Sequence, residues 1–140
     1  MDSLLKKMNF KEGMKIKIWS LPDELNYLYE SWNQAGLVSK ESEQTDFFLA
    51  FVKSEEEIEQ IFPQLATHST NDELLWIAYP KGSSKKYTVN INRDRGWGIA
   101  GKYDFEVVRQ ISIDEDWSVL RFRSIKFIKT LTRKFSTKDQ

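Results

Sequence analysis

Lys81, Gly82, Ser83, Ser84, Lys85 and Lys86 follow at once on an apolar run, Leu74 to Ala78, that is closed by Pro80. Three ammonium groups, two hydroxyls and a glycine that lets backbone approach suit a phosphate or carboxylate. The G-x-x-x-x-G-K-[ST] spacing of a P-loop is absent. The competing reading is a solvated loop with ordinary lysines. Arg93, Arg95 and Trp97 form a second group. Arginine pairs with phosphate or carboxylate through two parallel bonds, and tryptophan can stack on a ring. The competing reading is a helix start in which Asp94 pairs with an arginine and Trp97 packs on a sheet. Gly96 to Gly101 spells G-x-G-x-x-G. No strand precedes it and no acidic residue follows in the required place, which argues against a dinucleotide fingerprint.

Asp114, Glu115, Asp116 and Trp117 are a third group. Adjacent carboxylates can hold a divalent cation or exchange protons. Asp is also favoured in hairpin turns for its local hydrogen bonds. His68 is the only histidine and there is no cysteine, so the common triads and zinc sites are nearly excluded. No catalytic residue, metal ligand or cofactor is assigned. The candidate ligand-binding set is Lys81, Gly82, Ser83, Ser84, Arg93 and Trp97.

These residues need a scaffold. Leu74 to Ala78 has no polar face and suits a strand buried on both sides at the centre of a sheet. Met14 to Trp19 alternates, Thr45 to Lys53 is a second buried strand, Phe105 to Ile113 a fourth and Trp117 to Arg123 a fifth, joined to the fourth by a short turn and therefore antiparallel. Ser20 and Pro22 look like a helix entry, with Leu25, Leu28, Tyr29 and Trp32 on one face and Gly36 as its stop. Ser54 with Glu57 is a capping box for a helix carrying Ile58, Ile61, Phe62 and Leu65, which Pro63 is expected to break or kink. A weaker helix is expected from about Arg93 to Lys102, because Gly96, Gly98 and Gly101 each disfavour it. The order βαβαβαββ predicts an α/β three-layer sandwich with a mostly parallel sheet and an antiparallel edge strand. Residues 1–12 read as an N-terminal arm or short helix, 13–124 as a single domain, and 125–140 as a basic segment that could form a helix.

The 140 residues suit one domain with a sizeable core. Aromatic residues at 14% predict that this core contains many large rings. The absence of an apolar leader or a membrane-length run makes a soluble, cytoplasmic protein the expectation. Residues 1–74 carry 14 acidic and 7 basic groups, a balance of −7, and residues 75–140 carry the reverse, +7. The net charge of zero argues against a dedicated nucleic-acid binder.

Leu75 to Ser83, Asn92 to Trp97 and Asp114 to Arg123 together resemble a family of small bacterial proteins known chiefly as a domain of unknown function. The pieces W-[IL]-A-x-P-K and D-x-x-W-S-x-L-R carry the resemblance, across roughly residues 70–125. It implies a bacterial cytoplasmic protein and brings no reaction, cofactor or catalytic residue.

The charge split and the missing catalytic constellations favour a non-enzymatic binding or interaction domain, meeting an anionic small molecule or protein through the basic loop and C-terminal segment. The alternative is a binder of phosphate- or carboxylate-bearing small molecules, or an enzyme, with its pocket at the carboxyl ends of the strands.

Overall fold

A computed structural model describes residues 2–40 and 43–128. Five strands form one sheet: β1 (Ile16–Trp19), β2 (Phe47–Phe51), β3 (Leu74–Pro80), β4 (Phe105–Ser112) and β5 (Trp117–Ser124). Their order across the sheet is β1-β2-β3-β5-β4. The first three run parallel, with Ile16 opposite Phe47 and Phe47 opposite Leu74. β5 is antiparallel to both β3 and β4, so the hairpin supplies the antiparallel margin of the sheet and its second strand slides in beside β3. All seven residues of β3 are buried, as its unbroken apolar run requires of the middle strand of five.

Helices cover both faces. α1 (Ser3–Lys7) and α2 (Asn26–Gln34) pack with Phe47, Leu49, Trp76 and Ala78. α3 (Glu55–His68) and α4 (Gly98–Lys102) pack on the other face with Phe48, Leu75, Ile77 and Phe122. The alternation of side chains along each strand puts neighbouring residues into opposite cores. The N-terminal segment is part of the first core: Leu5, Met8 and Phe10 are buried there, and the Trp76 indole donates to the Met8 carbonyl at 3.2 Å. Of the two readings of residues 1–12, the short helix is the one found, as α1.

Several local expectations change. Ser20 has φ +60° and does not cap α2, which is entered through a single 3-10 turn, Asp23–Leu25. Tyr29 is exposed, while Leu28 and Trp32 carry the buried face of α2. α3 runs on through Pro63, which costs it one backbone bond without ending it. The helix expected from Arg93 shrinks to Gly98–Lys102. Asn92 and Arg95 bridge across a tight turn instead, and Gly96 at φ +104° takes a left-handed conformation no helix can use. Of the expected C-terminal helix, Ile125–Phe127 is one 3-10 turn, and residues 129–140 lie outside the described residues. No helix among the described residues is long and apolar enough to cross a membrane.

Candidate functional site

The chain reverses direction between β1 and β2. After β1 it passes through α2 on one face and returns at Val38, which bridges Ile16 on the outer side of β1. After β2 it passes through α3 on the opposite face and moves inward to β3. The crevice beyond the carboxyl ends of parallel strands at such a reversal is where ligands sit in open α/β sheets.

Glu24, which follows β1, lies at this end of the sheet. Its Oε2 accepts the Tyr87 hydroxyl at 2.5 Å and the Trp117 indole N–H at 3.3 Å, and Lys86 Nζ stands 3.7 Å from its Oε1. Trp117 reaches it because β5 starts where β3 ends, with Pro80 opposite Trp117. The Tyr87 ring packs edge-on against Trp117, and Lys53, which follows β2, places Nζ 5.2 Å from the Tyr87 ring centroid. Burial works to raise the Glu24 carboxyl. Hydrogen bonds from Tyr87, its own backbone and Trp117, with the charge of Lys86, outweigh burial and hold it below the ordinary value. The Tyr87 phenol is pushed up to about 12 by burial, by its bond to Glu24, and by the charges of Glu24, Asp116 and Asp23.

Beside this cluster is a hollow of about 540 Å³, walled by the start of α3 and by residues 88–91 and 95–96, with Lys53, Ser54 and Arg95 among its polar groups. The start of α3 is built as the sequence predicts: Ser54 Oγ accepts the Glu57 N–H, and Glu57 Oε1 accepts the Lys53 N–H, both at 3.1 Å. Glu55 and Glu56 share the rim, so the hollow carries both signs of charge.

The residues singled out from sequence disperse. Lys81 Nζ donates to Ser112 Oγ at 2.6 Å, and its backbone N–H donates to the Asp116 carbonyl. Ser84 Oγ donates to Asp116 Oδ1 at 2.8 Å and accepts the N–H groups of Lys86 and Tyr87. Gly82 is exposed, with open space where a Cβ would stand. Ser83 lines a smaller hollow of about 360 Å³ with Lys85, Lys86, Glu115 and Asp116. Arg93 is exposed, and it is Arg95 that lines the larger hollow. Trp97 is a correction. It is fully buried, packs against Tyr79 and Phe122, and donates its indole N–H to the Asn92 carbonyl at 2.6 Å, so no ring of a ligand can stack on it.

The acidic run serves its turn. Asp114 Oδ1 accepts the N–H groups of Asp116 and Trp117, each at 2.8 Å. Among the described residues, no group of three or more His, Asp or Glu could hold a metal ion. Sequence reasoning missed Glu24, Lys53 and Tyr87. The first two had a usable signal, because each lies in the loop directly after a parallel strand. Tyr87 had none.

No family model and no curated protein matches the chain. Among solved structures it is similar to a protein in the NADB-Rossmann superfamily from Streptococcus agalactiae, at 12% identity and TM-score 0.45, over 86% of this chain and 55% of that one. It is also similar to a SAM dependent methyltransferase from Aquifex aeolicus, at 15% identity and TM-score 0.49, over 85% of this chain and 86% of that one. This likeness is one of layout.

The expectation of a non-enzymatic domain that meets an anionic partner through the basic loop is corrected by the geometry. The basic loop is engaged within the molecule, where Lys81, Ser84 and Lys86 meet Ser112, Asp116 and Glu24.

Proposed function

We propose that the chain is a small-molecule-binding protein or enzyme whose ligand bears a phosphate or carboxylate and sits beyond the carboxyl ends of β2 and β3. The supporting observation is the hollow of about 540 Å³ lined by segments that follow β2 and β3, with Lys53 and Arg95 on its wall and the backbone N–H end of α3 facing it. A 14-residue helix carries partial positive charge at that end, which adds to the two side-chain cations. Glu55 and Glu56 on the rim favour a ligand that also carries a donor, such as an amine or hydroxyl. Glu24 and Tyr87, linked to the hollow through Lys53, put a carboxylate and a phenol next to it.

A thermal-shift screen of phosphorylated and carboxylated metabolites tests this reading. A ligand at a hundredfold its Kd adds about 2.7 kcal/mol of stability. The expected result is a hit that disappears in both Lys53→Ala and Arg95→Ala. A panel with no hit, or a hit that both variants keep, overturns the placement.

A further inference from the structure

At the opposite end of the sheet, on the face that carries α1 and α2, three arginines stand close together. Arg121 and Arg123 are two residues apart on β5 and share a face, and the register sets Arg109 of β4 directly opposite Arg121. Val119 of β5 and Ile111 of β4, each two residues away from Arg121 and Arg109, lie in the core cluster of that face, which fixes the side to which the arginines belong.

The three are not equally compensated. Arg123 is matched: its Nε and a terminal nitrogen donate to the two oxygens of Asp72 at 2.8 and 2.6 Å, and the register places Glu106 opposite it. Among the described residues, Asp72 is the ion-pair partner of Arg123, and neither Arg109 nor Arg121 has one. Arg121 Nε is buried and has no hydrogen-bond partner among the described residues. A buried donor on a charged group is costly when unmet. Like charges directly opposite on paired strands are also destabilising. Burial, then the charges of Arg123 and Arg109, push the Arg121 guanidinium down, and the charge of Asp72 works the other way. Arg109 is exposed beside it, so the pair is open to solvent on one side.

We propose that Arg109 and Arg121 form a second binding site, distinct from the crevice, for a small oxyanion such as a phosphate or carboxylate group. Two guanidiniums on neighbouring strands offer forked donors to one oxyanion, which would relieve the repulsion between them and give the buried end of Arg121 a counter-charge. The Asp72 bond holds Arg123 away from the ligand and leaves it as a fixed neighbour.

The test is a titration of uniformly ¹⁵N-labelled protein with inorganic phosphate, and separately with acetate, at constant ionic strength with chloride as the balancing ion. The Arg side-chain Nε–Hε resonances are read. The expected result is saturable movement of the Arg121 signal with phosphate or acetate and not with chloride. Movement with phosphate alone assigns a phosphate group, and movement with acetate assigns a carboxylate. Arg109→Gln, a change at an exposed position, is expected to weaken the response at least tenfold, and Lys53→Ala at the other end of the sheet to leave it unchanged. An Arg121 signal that stays still, moves equally with chloride, or responds fully in Arg109→Gln overturns the proposal.

Discussion

Tyr87 and Glu24 are 63 residues apart and share a hydrogen bond that ties the loop after β3 to the turn after β1. The same Oε2 takes the Trp117 indole, so three segments of the chain meet on one oxygen. The bond closes the carboxyl end of the sheet next to the proposed ligand hollow.

Two tyrosines of the five should ionise late, Tyr79, which burial pushes up, and Tyr87. The Tyr87 phenol is pushed from 10.0 up to about 12. A phenol whose folded value is raised contributes stability below pH 10 and loses it between pH 10 and about 12. Spectrophotometric titration of phenolate should show a late component that loses the amplitude of one tyrosine in Tyr87→Phe. That variant should also lose about 1 kcal/mol at neutral pH.

Glu24 has the opposite sign. Its folded value is held below 4.5, so its contribution is present above that pH and is lost as pH falls through the lowered value. Urea midpoints for the wild type and Glu24→Gln should differ at pH 7 and converge in acid. A gap that stays constant down to the lowest pH that can be measured would contradict the pairing.

Two glycines should respond differently to alanine. At Gly96 a Cβ would stand 2.6 Å from Ile91 Cγ2, and φ is +104°. Gly96→Ala should cost about 1–3 kcal/mol. Gly82 has nothing within 4 Å. Gly82→Ala should stay within about 0.5 kcal/mol in the same denaturation assay.

Trp97→Ala should destabilise by about 3–5 kcal/mol, because it empties a fully buried site between Tyr79 and Phe122. A ligand-binding tryptophan would instead lose affinity and keep its stability. Thermal denaturation of the unliganded protein separates the two.

The Asp72–Arg123 pair is half-buried, with side-chain exposures of 24% and 34%, and its two parallel bonds are well aligned. A double-mutant cycle with Asp72→Asn and Arg123→Gln should give a coupling of about 1 kcal/mol, reduced by salt.

The sequence by itself determined what depends on near neighbours. Five strands, the capped start of α3 and the glycine stop of α2 all follow from apolar runs, spacing and cap chemistry within a few residues. The central place of Leu74 to Ala78 was legible for the same reason, since a run with no polar side has nowhere to lie but between two layers. Only the tertiary structure decided where the β4–β5 hairpin joins the sheet. The insertion of β5 beside β3 brought Trp117 to Glu24. It also decided that Trp97 fills a core, while Lys53 and Arg95 line a hollow. Those outcomes depend on contacts between residues dozens of positions apart, where burial of whole faces selects the partner and local pattern carries no record of it.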